Sequence, residues 1–223
     1  MRTLWWAGLL LGVLLGMWAD CFPVHAQAVS PDTVIATFRD ARALAVDPLG
    51  RLYVADAGRD VVRTFDRAGA KMGTFGGAGT RAGEFDEPTD VDPTNGQTVW
   101  VADAGNGRVQ HLAAEGLFLE VMPVGPSVLE GSEQRFLDDG RDGAAVQGNG
   151  RPIAVASTSG DDVFAIDGRN DVLLTWDDRR RPERLLSSFG ANAGVPRRPV
   201  SLALAASDRL YVADRGREAV LAY

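Results

Sequence analysis

The stretch LYVADAGRDVV at residues 52–62 returns as VWVADAGNGRV at 99–109 and as LYVADRGREAV at 210–220, with VFAIDGRNDVL at 163–173 as a looser copy. Aligned on Asp56, Asp103, Asp167 and Asp214, each copy carries an aromatic residue three positions earlier: Tyr53, Trp100, Phe164 and Tyr211. Fifteen positions upstream stand Ala41, Pro88, Pro152 and Pro199, and nine downstream stand Phe65, Leu112, Trp176 and Tyr223. The copies are therefore units of one repeat. Asp56 and Asp103 lie 47 residues apart, as do Asp167 and Asp214, whereas 64 residues separate Asp103 from Asp167.

Within a unit, short β-branched and aromatic runs are cut by turn residues: Ala43 to Val46, Leu52 to Ala55, Val61 to Phe65, and Lys71 to Phe75 after the Arg67-Ala68-Gly69 turn. These runs predict a four-stranded antiparallel meander, and the unit length suits one blade of a β-propeller. No segment sustains apolar spacing at i, i+3, i+4 and i+7, so a helical repeat is excluded. The apolar/polar alternation is imperfect, as expected of sheets covered on both faces. One such sheet cannot bury its own two faces, so repetition is what supplies a core. The recurrent Asp closes the second strand, where its carboxylate is expected to accept N–H groups of the following turn. Asp56, Asp103, Asp167 and Asp214 are read as structural turn residues rather than metal ligands.

The stretch FGGAGTRAGEFDEP, Phe75 to Pro88, leading into VWVADAGNGRV, resembles the NHL-repeat family of β-propellers. The likeness rests on the Phe-Gly step, the spaced glycines before Phe85, the Pro opening the inner strand, and the aromatic-Val-Ala-Asp followed by Asn106 and Arg108. It implies an all-β propeller of four-stranded antiparallel blades. Four blades are visible, where the family usually has six. The last unit ends at Tyr223 with three strands, and Thr33 to Phe38 resembles the outer strands, so this N-terminal strand is expected to complete the last blade and close the ring. A four-bladed ring, a degenerate blade within Met122 to Gly150, and a truncated copy of a six-bladed NHL protein remain alternatives.

Residues 1–26 read as a signal peptide: Arg2, an apolar run from Leu4 to Trp18, and small-residue sites at Ala26 and Ala28. The domain is then 27–223, with an insertion at 123–150, and the expected address is periplasmic or secreted. Removing the signal leaves no cysteine and the single histidine His111. The formal charge of -7 argues against a polyanionic partner, and no membrane span is expected after cleavage. Within the insertion, Asp138, Asp139 and Asp142 lack the spacing of an EF-hand loop. The run Asp177 to Pro182 reads as a solvated edge guard.

Everything repeated here is structural, while the loops differ from unit to unit. The main expectation is an exported non-catalytic scaffold that binds a protein or peptide on its loop face. Arginine forks suit carboxylates, and the candidate ligand-binding residues are Arg59, Glu87, Asn106, Arg108, Arg169, Arg198, Arg215 and Arg217. The alternative is a metal-dependent propeller enzyme of lactonase or lyase type. His111 alone cannot build a three-histidine zinc site, but Asp40, Glu87, Asp90 and Asn106 are candidates for a calcium site. No catalytic residue is assigned, since covalent catalysis has no evident nucleophile and base beyond His111, which reads as an ordinary strand residue.

Overall fold

A computed structural model describes residues 34–125, 150–180, 182–187, 196–205 and 207–223. The signal peptide and most of the insertion lie outside the described residues. No helix among the described residues is long and apolar enough to cross a membrane. Four antiparallel sheets follow one another along the chain. The first holds β1 (Ala41–Val46), β2 (Leu52–Asp56), β3 (Val61–Phe65) and β4 (Lys71–Gly76). The second holds β5 (Pro88–Asp92), β6 (Thr98–Asp103), β7 (Arg108–Ala113) and β8 (Phe118–Pro123). The third holds β9 (Pro152–Ser157), β10 (Val163–Asp167), β11 (Val172–Trp176) and β12 (Pro182–Ser187); the fourth has β13 (Pro199–Leu204), β14 (Leu210–Asp214) and β15 (Ala219–Ala222).

The repeat dictates a shared register. In every sheet the innermost strand skips one residue against the second, between Ala41 and Ala43, Pro88 and Asp90, Pro152 and Ala154, and Pro199 and Ser201. This bulge places the recurrent Asp opposite the first residue of the inner strand. The turn into the third strand passes through the left-handed region at Asp60, Asp171 and Glu218, and at Gly107 in the second sheet, where glycine carries no Cβ penalty.

Side chains alternate across each sheet, so each has two apolar faces. One face of the first sheet (Ala43, Ala45, Tyr53, Val62, Phe75) packs on Val91, Val99, Val101 and Leu112 of the second. The other face of the second (Trp100, Ala102, Val109, Met122) meets Val155, Val163, Ala165, Leu174 and Trp176 of the third. Ala154, Ile166 and Leu173 of the third then meet Leu210 and Val212 of the fourth. Tyr53, Trp100 and Phe164, the aromatics of the repeat, lie in these three seams.

The sheets form an open row, and the expected propeller ring is not closed. The N-terminal strand expected to close it is absent: Val34 to Phe38 carry no strand, Thr33 lies outside the described residues, and the fourth sheet keeps three strands. The reason is local. Phe38 meets Phe65 edge-on with ring centroids 6.0 Å apart, and Arg63 of β3 stacks over Phe38 and donates to the Thr37 carbonyl at 2.7 Å. The segment is thus held on the first sheet, and its likeness to the outer strands is a likeness of composition only.

Because Trp100 fills a seam and Leu44 lies on the uncovered face of the first sheet, the two positions separate packing from patterning. Trp100→Ala is expected to lower stability by about 3–5 kcal/mol, and Leu44→Ser by less than about 0.5 kcal/mol. Urea unfolding of both variants checks the difference.

Candidate functional site

The turn carboxylates reach backward along the chain. Asp56 accepts from the Asp40 N–H at 2.9 Å, Asp103 from Asp86 at 2.7 Å, Asp167 from Arg151 at 2.8 Å and Asp214 from Arg198 at 2.9 Å. Each Asp therefore ties the second strand to the loop that enters the inner strand of its own sheet. Bonds forward into the following turn are added by Arg169 and Asn170 at Asp167 and by the Gly216 N–H at Asp214. Burial opposes charge on Asp56 and Asp214, but these hydrogen bonds outweigh it and hold both carboxyls below the usual range.

The expected ligand-binding residues fall into two groups. Arg108 is 1% exposed and turned inward: Nε donates to Asp103 at 2.7 Å, Nη1 to the Thr80 carbonyl at 2.7 Å, and Nη2 to the Arg81 and Glu84 carbonyls at 2.9 Å. Asn106 joins it on Asp103 at 2.9 Å. These two brace the loop at residues 79–84. Arg59, Glu87, Arg169, Arg198 and Arg215 stand exposed on separate turns, with Arg217 partly buried. Arg59 pairs with Asp56 at 2.7 Å, Glu87 with Arg151 at 2.6 Å, and Arg217 with Asp214 at 3.7 Å. Arg59 also lines an open cleft of about 640 Å³ with Thr37, Val61, Arg63, Lys71 and Thr74.

The four calcium candidates are not brought together. Asp40 pairs with Arg42, Glu87 with Arg151, Asn106 with Asp103, and Asp90 is turned across the seam to β9. The residues present do not fit a shared cation, and no group of three or more His, Cys, Asp or Glu side chains among the described residues is placed to hold one. Asp90 instead accepts the Val155 N–H at 2.8 Å and its neighbour's, Val91, at 2.9 Å, while Asp92 accepts from the Ser157 N–H and hydroxyl at 2.6 and 2.7 Å. With Thr89 donating to the Pro152 carbonyl at 2.8 Å, this is a polar staple between β5 and β9. Burial, reinforced by the nearby Asp92 charge, outweighs the two N–H donors and pushes the Asp90 carboxyl up to about 6.

A second polar cluster sits in the same seam. His111 stacks on Trp100 with ring centroids 3.7 Å apart and planes 6° from parallel. Its Nδ1 lies 2.8 Å from Glu120 Oε1, which also accepts Arg180 Nε at 2.8 Å. The register of β7 and β8 sets His111 directly opposite Glu120. Arg180 stacks over Trp100 at 4.8 Å and donates to the Asp161 carbonyl at 2.6 Å. Burial works against charge on Glu120, but the His111 and Arg180 bonds win and hold its carboxyl below the usual range. A carboxylate on Nδ1 fixes the proton there and leaves the Nε2 lone pair free. His111 Nε2 is buried with no hydrogen-bond partner, as are Trp100 Nε1 and Trp176 Nε1.

This cluster is only partly legible along the chain. His111 was legible as the single histidine of the expected domain, and Glu120 follows from a hairpin turning at residues 114–117. Arg180, expected as part of a solvated edge, comes from 60 residues beyond Glu120 and is partly buried, so only tertiary packing reveals it.

No known protein family matches the sequence, and no curated protein matches it either. Solved structures of similar fold do exist. They include virginiamycin B lyase from Staphylococcus aureus, 8% identical, covering 81% of this chain and 51% of that one with a TM-score of 0.54. A streptogramin B lyase is 11% identical, with coverages of 84% and 52% and a TM-score of 0.56. Hydrazine synthase from Kuenenia stuttgartiensis is 12% identical, with coverages of 85% and 44% and a TM-score of 0.55. The chain spans about half the length of these proteins. At such identities the likeness concerns the fold alone. The NHL resemblance is corrected accordingly, since the fold is similar to lyases and a synthase. The residues that suggested it serve turn and seam geometry: the Asp and the aromatic before it recur in all four sheets, whereas Asn106 and Arg108 brace the loop of the second.

Two outcomes follow. The ionised Asp90 is disfavoured in the fold, so its stabilising contribution is full below pH about 4 and is lost as pH rises through about 6, an effect of about 2–3 kcal/mol. Urea midpoints of wild type and Asp90→Asn at the two ends of this window should show that slope only in the wild type. Arg108→Ala strands the buried Asp103 carboxylate and is expected to cost about 3–5 kcal/mol, read as a lowered melting temperature.

Proposed function

We propose that the chain has lyase-type acid–base activity, with His111 as the proton acceptor. The observation that carries this reading is the arrangement at His111, where Nδ1 is held by Glu120 and Nε2 is left without a partner. A base oriented by a third group is the constellation that proton abstraction needs. In such a step Nε2 takes a proton from a substrate carbon. The C–H electron pair becomes a new π bond, and the leaving group departs with the electrons of its broken bond. The proton then passes from Nε2 to the leaving group, so no water is added and nothing is oxidised.

The fold supports the same class, because two of the similar structures are named as streptogramin-type lyases. Another is a catalytically inactive histidine-to-alanine variant of the S. aureus enzyme with quinupristin. This replaces the expectation of a non-catalytic scaffold, which none of these neighbours supports. Arg180 and Glu120 are positioning residues here: the guanidinium holds the carboxylate that orients the imidazole. The seam is closed over Nε2, so substrate entry requires it to open locally, and the Arg180 contact with Trp100 is the part that spans its edge.

Quinupristin is the first compound to test, followed by mass spectrometry. Lyase action gives products whose summed mass equals that of the substrate, whereas hydrolysis adds a water. His111→Ala is expected to slow turnover by about 100- to 10,000-fold, and Glu120→Gln to shift the pH profile while leaving substrate binding in place. Turnover unaffected by His111→Ala, or no consumption of quinupristin at any pH, overturns the reading.

A further inference from the structure

Among the described residues, the open row leaves one sheet face partly and another fully uncovered, and they are not equivalent. The first sheet exposes the face of Leu44 and Val46; the fourth exposes the face of Ala203, Tyr211 and Val220. The repeat register shows what each face meets elsewhere. Leu44 is 72% exposed, while its counterparts Val91 and Val155 are 3% and 4% exposed beneath the preceding sheet. Tyr211 is 37% exposed, while its counterparts Tyr53 and Trp100, which cover the following sheet, are each 1% exposed.

The two free faces are therefore the two halves of a seam. The fourth sheet presents Tyr211, Ala213 and Val220 where the first presents Tyr53, Ala55 and Val62, and of these Tyr53 and Val62 pack on Val91, Val99 and Val101. The first sheet has Leu44, Leu52 and Val54 at the positions of that same Val91, Val99, Val101 set; Leu44 is exposed, Leu52 is half-buried and Val54 is 4% exposed. The exposed parts of the two halves, Tyr211 with Val220 and Leu44, thus stand at the positions of Tyr53 with Val62 and of Val91, which meet in the seam between the first and second sheets. A single copy cannot join them, because the row is open and three sheet-to-sheet steps separate them. The segment at Ile35 to Phe38 covers the β3 side of the first face and leaves the β1 side, with Leu44 and Val46, open.

We propose that a second copy of this chain occupies these faces, the fourth sheet of one copy packing on the first sheet of the other. The contact is heterologous: it joins two different surfaces, so two copies can close on each other through two such contacts, or further copies can extend the row. Exposed apolar faces are otherwise an aggregation liability.

The test uses the whole chain and two substitutions at exposed positions, Leu44→Glu on one face and Tyr211→Glu on the other. Sedimentation velocity over a range of concentrations should show the wild type associating and each single variant weakened by at least about tenfold. Unchanged thermal melts of the variants at low concentration establish that the fold is intact. Mixing the two variants is the decisive step. Each retains the face the other has lost, so a one-to-one mixture should regain association that neither shows alone. A wild type that stays monomeric overturns the proposal, as does association that survives both substitutions. A mixture that stays monomeric also overturns it, because pairing of like faces would then be the source of any wild-type association.

Discussion

Apolar residues on both faces of each four-stranded sheet are the constraint from which the rest of the molecule follows. Tyr53, Trp100 and Phe164 stand on the face each sheet turns to its successor, and Val91, Val155 and Val212 on the face that receives it. No sheet can bury both faces by itself, and burial at these seams is the dominant favourable term available to a chain whose expected domain has no disulfide. The polar features are placed by the seams. The Thr89, Asp90 and Asp92 staple exists because β5 and β9 are pressed edge to edge. The His111, Glu120 and Arg180 cluster exists because Trp100 carries it into the same interface.

The seam between the second and third sheets is chemically unlike the other two. It holds a carboxylate raised to about 6, a carboxylate held low between two cations or potential cations, and three buried nitrogen atoms without partners. A purely structural interface is expected to satisfy such groups. Orphaned nitrogens beside an oriented imidazole are the kind of departure from local rules that functional sites show. This contrast, more than the charge on the loop rim, directs attention to His111. On the rim, Arg108 and Asn106 are absorbed into bracing, and the exposed arginines are dispersed over separate turns.

Much of the fold was legible in the chain. The period of 47 residues, the aromatic three positions before each Asp, and the turn residues between runs gave the strands and their order, because each is a local requirement of a sheet. The expected closing strand does not form: Thr33 to Phe38 has strand composition, but the placement of Thr37 and Phe38 is decided by Phe65 and Arg63 in another strand. The family likeness failed for a related reason: residues that fix a turn recur wherever that turn is built.

The sequence by itself determined that this protein is a repeat of antiparallel sheets with an Asp-tied turn, since strand pattern, turn chemistry and repeat period are all set by neighbours along the chain. Only the tertiary structure decided that the row stays open, that Arg108 is a buried brace, and that Arg180 reaches Glu120 across 60 residues. Those outcomes depend on which faces meet in space and on which side chains lose water when they do. Spacing along a chain does not encode that loss.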